Sequence, residues 1–365
     1  MDKIERLLKE LTEADGVAGY EAEVSSVIRK HFEPLGEILQ DKLGSLICKK
    51  TGLAQEPRVV LAGHMDEVGF MVKFITKDGF IRFTPLGGWW GQVLLGHRVS
   101  IKTNKGTIIG MIGAKPPHLL SEDERKKVVE VKEMYIDIGA TSQQEVEDAG
   151  VRVGDPIVPI SEFTILANSK TYMAKAIDDR VGCASVIAIM QNLMGKDHPN
   201  AVFGVATVQE EVGARGATTS VEITKPDVAI ILEVDIAGDM PGIKPEESAI
   251  KLGAGPTLLA YDARMIPNLK LRDMVIDTAK KLNVPLQVSA MEGGATDGGP
   301  IHLHGAGVPT VVLSVPTRHI HSHNALLRRD DFDRTVELAT ALVQELDKGA
   351  IAALTSSSLH HMRSD

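Results

Sequence analysis

Five short stretches of this chain carry imidazoles and carboxylates at spacings that could hold metal ions. Gly63-His64-Met65-Asp66-Glu67 follows the apolar run 58–62, and a carboxylate at Asp66 could bond the far ring nitrogen of His64 and fix its tautomer. Read alone, the stretch is more simply a polar turn after a strand. Ala176-Ile177-Asp178-Asp179-Arg180 opens an apolar helical pattern, so Asp178 is either a helix N-cap or a carboxylate bridging two metals. Val208-Gln209-Glu210-Glu211-Val212-Gly213 places two adjacent carboxylates at the end of a run of Ala, Val and Phe. Charges there are costly unless paired or metal-bound. Neighbouring strand residues face opposite ways, so both serve one site only if the chain turns, which Gly213 permits. One would then ligate and the other act as general base. Leu232-Glu233-Val234-Asp235 ends another apolar strand and reads in isolation as a solvated strand end. Arg318-His319-Ile320-His321-Ser322-His323-Asn324 sets three histidines at alternate positions, as in a metal-binding tract. The chain has 12 histidines, so most must be bystanders, His360 and His361 among them.

Taken together, imidazoles and carboxylates from four strand ends and one helix start suit zinc or a similar divalent ion. Five ligands with one shared carboxylate fit two ions about 3.5–4 Å apart.

The elements that must position these residues fall into three textures. Helical patterns lie near 3–14 and 21–33, followed by short strands. From 73 to 165 the strand-like pieces are short and broken by turns such as Lys77-Asp78-Gly79 and Asn104-Lys105-Gly106. That stretch reads as a small all-β unit, barrel or sandwich, with one short helix near 142–150. From 166 helix and strand alternate again: helices near 179–194, 269–282 and 330–347, strands near 201–208, 228–235, 285–290 and 309–315. The pattern predicts an α/β fold, a sheet covered by helices on both faces. The expected domains are a discontinuous catalytic unit of 1–72 and 166–354, an inserted β unit of 73–165, and a frayed tail, 355–365. Ligands in open α/β sheets gather beyond the carboxyl ends of the strands, and each of the five stretches lies at a strand end or a helix start.

Composition excludes other classes. A net charge of −9 argues against a nucleic-acid surface. No apolar run is long enough to span a membrane, and the first residues read as an amphipathic helix, with Ile4, Leu7, Leu8 and Leu11 on one face, rather than a signal peptide. Cys48 and Cys183 make no disulfide framework, so a reducing, cytoplasmic compartment is expected.

These stretches resemble the glutamyl and tetrahedral (TET) aminopeptidases, a family of dinuclear metallopeptidases. The matching segments are Ala62-Gly63-His64-Met65-Asp66-Glu67-Val68-Gly69-Phe70, Gly87-Gly88-Trp89-Trp90, Lys175-Ala176-Ile177-Asp178-Asp179-Arg180, Val208-Gln209-Glu210-Glu211-Val212-Gly213 and Gly294-Ala295-Thr296-Asp297-Gly298. The resemblance implies a mixed zinc-peptidase-like sheet and an inserted barrel-like domain that helps build dimers, which can assemble into dodecamers. It implies that His64 binds one metal and Asp66 orients it, that Asp178 bridges, that Glu211 and His321 hold the second metal, and that Asp235 completes the first. Glu210 becomes the general base. His319 stands where relatives often carry tyrosine, which suggests a pocket-lining role, and Ala295 stands where they often carry glycine.

The expected cofactors are two divalent ions, zinc or cobalt, and the expected reaction is hydrolysis of N-terminal residues from peptides with a free amino terminus. A metal-bound water or hydroxide would attack, with Glu210 as base. Two divalent cations, the carboxylates of Asp178, Glu211 and Asp235, and one hydroxide would sum to neutrality, which lowers the cost of burial. A carboxypeptidase or deacylase would use the same ligands. A glycoside hydrolase using Glu210 and Glu211 would need carboxyl groups on opposite sides of a sugar, which adjacent residues supply poorly. A metal-binding protein without catalysis would leave Glu210 idle. Arg264 and Arg318 are candidates to line a pocket for acidic side chains.

Overall fold

A computed structural model describes residues 1–356. Asp2 caps the first helix, Lys3–Glu13: its Oδ1 accepts from the Glu5 N–H at 2.8 Å, and Glu5 Oε2 accepts from the Asp2 N–H at 2.7 Å. The buried face of that helix is Leu7, Leu8 and Leu11, as the amphipathic pattern predicts.

Eleven strands form one mixed sheet. Nine lie in the order Glu37–Gln40, Leu46–Thr51, Ala201–Thr207, Arg58–His64, Val228–Ile236, Thr310–Arg318, Ala325–Arg328, Thr171–Ala174 and Thr164–Ile165. Thr257–Tyr261 pairs with Thr310–Arg318 off this path and carries Gln287–Ala290. The four strands from Ala201–Thr207 to Thr310–Arg318 run parallel. Parallel neighbours need crossovers, which lay helices on both faces. Ile177–Asn192, Lys3–Glu13 and Arg329–Glu345 cover one face, Arg215–Thr224 and Gly298–His302 the other. Strands between two such layers are apolar throughout: Val59 and Leu61 enter one core, Val60 and Ala62 the other.

The second unit is a closed barrel in the order Gly69–Ile75, Ile81–Leu86, Tyr135–Asp137, Gly106–Gly113, Arg98–Thr103 and Pro156–Pro159. Phe70, Val72, Phe83, Val99, Ile112 and Ile157 are in its core. The hairpin at Asn104 and Lys105 closes with Thr103 paired to Gly106, whose φ of +126° few side-chain-bearing residues adopt. The expected limits of 73 and 165 are both displaced. The first barrel strand begins at Gly69, and Thr164–Ile165 pairs with Thr171–Ala174 in the large sheet.

Helices Arg215–Thr224 and Lys348–Thr355 have no counterpart in the pattern read from sequence. Of the expected tail, Thr355 closes a helix and Ser356 caps it, while residues 357–365, with His360 and His361, lie outside the described residues. Among the described residues no helix is long and apolar enough to cross a membrane.

Candidate metal centre

His64 is the last residue of the strand Arg58–His64 and pairs in register with Thr207 of the neighbouring strand. On its other side Ile231 pairs with Ala62, so two residues further Glu233 stands level with His64. His64 Nε2 lies 3.0 Å from Asp178 Oδ1, 3.8 Å from Glu233 Oε1 and 3.9 Å from Glu210 Oε2. The other ring nitrogen, Nδ1, is 3.1 Å from the backbone oxygen of Asp66 and 3.5 Å from its carboxylate. A donor at Nδ1 leaves the Nε2 lone pair free for a metal.

Asp178 does not cap a helix. The N-cap position is Ala176, with φ of +52°, and Asp178 itself has the extended angles φ −78° and ψ 110°. That backbone turns the carboxylate inward, with Oδ1 toward His64 and Oδ2 3.3 Å from His321 Nε2. Asp179 is committed to the backbone: its two oxygens accept from the N–H of His64 and of Gly182, each at 3.0 Å. A Cβ on Gly182 would collide with that carboxylate and with the Leu232 carbonyl, so helix and sheet meet this closely only through a glycine.

Glu210 and Glu211 both face the centre because the chain leaves its strand after Thr207 and Gln209 takes φ of +56°. Asp66 holds the resulting turn. Its Oδ1 accepts from the Glu210 N–H at 2.9 Å and its Oδ2 from the Glu211 N–H at 3.1 Å. Asp66 therefore fixes the backbone that carries Glu210 and Glu211, while its own backbone oxygen is its nearest atom to His64 Nδ1. Glu211 Oε1 lies 3.4 Å from His321 Nε2, and this buried oxygen has no hydrogen-bond partner. The turn after His64 is anchored by Glu67, which is buried against Lys175 at 2.7 Å and Arg180 at 3.4 Å.

The site contains more acid than sequence reasoning assigned. Glu233 is gathered at His64, while Asp235, on the same strand face two residues on, is held elsewhere. The Ser289 hydroxyl donates to Asp235 Oδ2, and Oδ1 accepts from the Ile236 N–H at 2.8 Å. Ligand atoms within 4.8 Å of one another come from His64, Asp178 and Glu211, and from His64, Asp179 and Glu233. Asp235 belongs to neither group. Asp297 is buried as well, with Oδ2 accepting from the Thr207 hydroxyl and Oδ1 unpartnered.

Among the described residues none of Asp66, Asp178, Asp179, Glu210, Glu211, Glu233, Asp235 and Asp297 is within ion-pair distance of a Lys or Arg; only His64 and His321 approach them. Burial pushes the carboxyls of Glu210, Glu233 and Asp179 well above the usual range, raises Glu211, and takes Asp297 to about 6. Burial would also lower the His64 pKa, but hydrogen bonds to Asp178 and Asp66 hold it well above the ordinary imidazole value. This set of hard oxygen donors with two imidazoles, the oxygens Glu211 Oε1 and Asp297 Oδ1 unpartnered, fits divalent cations.

The centre opens into a cleft of ≈1120 Å³. Arg264 lines it, with Val288, Met291 and Glu292. Arg318 is committed elsewhere, gripping Asp239 through Nε and Nη2. His319 and His323 lie on the far side of the His321 loop, facing a second hollow. His323 is 1% exposed, and burial pushes its pKa down to about 3.

The profile of the M42 glutamyl aminopeptidase family matches residues 44–338. A putative aminopeptidase, FrvX, of Escherichia coli (strain K12) is 42% identical over 96% of this chain and 97% of its own length. The crystal structure of a TET aminopeptidase from the marine sediment archaeon Thaumarchaeota archaeon SCGC AB-539-E09 superimposes with a TM-score of 0.95 at 50% identity, covering 97% of this chain and 99% of that one. The TET1 peptidase of Pyrococcus horikoshii, which can assemble into a tetrahedron or a large octahedral shell, superimposes with a TM-score of 0.85 at 31% identity, over 94% and 100% of the two chains. The chain therefore belongs to the M42 glutamyl aminopeptidase family of peptide hydrolases.

Proposed function

We infer that the chain removes N-terminal residues from peptides at a two-metal centre. One observation carries the reading: a buried group of carboxylates around two imidazoles, with no Lys or Arg among the described residues to balance it. His64, Asp178 and Glu233 would hold one ion, and Asp178, Glu211 and His321 the other. Glu233 takes the place the resemblance gave to Asp235. Two divalent ions, zinc or cobalt, would polarise the scissile carbonyl and acidify water there.

The remaining steps fall to side chains. Glu210 approaches His64 without being drawn into either close ligand group, so its carboxylate is free to take a proton from water. It would then pass that proton to the leaving amine. Asp66 keeps Glu210 in register through the backbone N–H it accepts from. The free amino terminus of the substrate would meet a metal or a cleft carboxylate. Homo-oligomerisation is supported by the tetrahedral and octahedral shells of the Pyrococcus relative, and dimers building a dodecamer is the form proposed for it. A cytoplasmic location is supported by two free buried thiols.

The test is an assay of metal-depleted and reconstituted protein on aminoacyl anilides with free and acetylated amino termini. Cleavage confined to free termini and dependent on added zinc or cobalt is expected. Release of acetate with the anilide left intact would instead identify a deacylase, cleavage confined to N-acetyl dipeptides with a free carboxyl terminus a carboxypeptidase, and indifference to chelators would remove the metals from the reaction.

A further inference from the structure

His321 reaches the centre from a loop that is strained at two places. His319 has φ of +61° and His321 +57°, left-handed angles that residues with a Cβ seldom take. Such conformations persist where the surroundings over-determine them. Within the loop, the Ser322 hydroxyl donates to the carbonyl of His319, which ties the turn to itself but not to the rest of the protein.

Ile320 packs against the core of the large sheet, and a second external hold comes from the barrel. The His323 ring stacks on His97 with centroids 3.8 Å apart and planes 20° apart, and Trp89 leans on it at 5.3 Å. Trp89 stacks in turn on Phe70 at 4.9 Å, and Phe70 meets Phe83 edge-on at 5.0 Å inside the barrel core. The Trp89 indole N–H donates to the Gly69 carbonyl at 3.1 Å, which fixes that ring. Next to the stack, the Ser161 hydroxyl donates to Asn324 Oδ1 at 2.6 Å. A ladder of rings thus runs from the barrel interior to a residue two positions from His321.

Neither nitrogen of His323 has a hydrogen-bond partner, and both are buried. Parallel rings aim their nitrogens side by side rather than at a common point, so His97 and His323 do not form a ligand pair. His323 uses its shape, not its nitrogens.

We propose that His323 is a positioning residue: clamped by His97 and Trp89 of the barrel, it holds the 319–324 loop in the strained form that presents His321 to the metal centre. The barrel is then part of how the second metal site is built. This rests on the two-metal reading for its consequence, while the clamp itself can be read without metal.

The test compares the full-length protein with His323→Ala, His323→Phe and His97→Ala. In metal-free protein, hydrogen exchange across 319–324 is expected to accelerate in both alanine variants and stay slow in His323→Phe, with global unfolding midpoints as a control for folding. Titration with Co²⁺ is expected to show one of two ions weakened about 10–100-fold in His323→Ala, the other unchanged, and both restored in His323→Phe. Unchanged exchange in His323→Ala overturns the clamp. A His323→Phe variant as weak as the alanine one also overturns it, because a nitrogen would then be required. Fewer than two ions bound by the wild type would defeat the two-metal reading instead, and the exchange data would still decide the clamp.

Discussion

Glu233 Oε1 stands 3.8 Å from His64 Nε2, and this pairing follows from strand register. Glu233 and Asp235 share a strand face, so alternation alone cannot choose between them. The pairing of Ile231 with Ala62 sets Glu233 at the height of His64 and carries Asp235 past it to Ser289. Glu233→Ala is expected to lose at least one ion from a two-metal site, while Asp235→Ala keeps both. Metal content after gel filtration decides it, and the reverse pattern would reinstate Asp235 as the ligand.

Glu210 and Glu211 are neighbours to which the proposed function gives separate tasks. Only Glu211 reaches His321, at 3.4 Å, and belongs to a close ligand group. Glu210→Gln preserves the hydrogen bond that the Glu210 N–H gives Asp66, so the turn is expected to survive. The variant should bind metal normally and lose about 10²–10⁴-fold in kcat. Near-normal turnover would end the role of Glu210 as base.

How much of this was legible depended on what each element rests on. The strand at Arg58–His64 announces itself because it is buried on both faces and is apolar through Val59, Val60, Leu61 and Ala62. His64, Asp178, Glu210, Glu211 and His321 stand out as acids and imidazoles at the ends of such elements, and the structure gathers all five. Helix Arg215–Thr224 was not legible: Gly216, three threonines and a serine are poor helix formers, and packing of Ala217 and Val221 decides it. Glu233 depends on alignment between strands far apart in sequence, which no single segment encodes. The double duty of Asp66 depends on a left-handed Gln209 that only the folded turn reveals.

Asp66 offers a sharper test of that turn. It is fully buried, and its carboxylate accepts from the N–H groups of both Glu210 and Glu211. Asp66→Ala leaves two donors without partners, at about 1–3 kcal/mol each. The expected result is a lower denaturation midpoint together with loss of both metal affinity and turnover. Asp66→Asn retains one acceptor and should fall between. An alanine variant with wild-type stability would mean that the turn holds itself.

Glu21 gives the fold a pH dependence outside the metal ligands. Burial, reinforced by the charge of Asp66, outweighs the hydrogen bonds it accepts from Gly19 and Gln209 and raises its pKa from 4.5 to about 7. The folded state thus holds the proton more tightly than the unfolded chain does. Its stabilising effect is complete below about 4.5 and is lost as pH rises through about 7. Glu21→Gln is neutral throughout, so in metal-free protein the variant should gain on the wild type by on the order of 3 kcal/mol across that window. Urea unfolding at several pH values reads the slope. Parallel curves for the two proteins would show that Glu21 ionises freely.

Cys183 connects the helix Ile177–Asn192 to the His64 turn, its thiol donating to the His64 carbonyl at 3.2 Å. Burial, with the charge of Asp179 adding to it, raises its pKa, and burial pushes Cys48 up to about 11. Thiolate is the reactive species, so both cysteines should react only slowly with a maleimide or an aromatic disulfide near pH 8 in the native protein, and rapidly in guanidinium. Because Cys183 touches the His64 turn, its slow native labelling reports local opening there. Bound zinc is expected to slow the labelling of Cys183 and leave that of Cys48 unchanged, with mass spectrometry distinguishing the two. Rapid labelling of Cys183 in the metal-loaded protein would contradict the packing of helix against strand on which the whole centre depends.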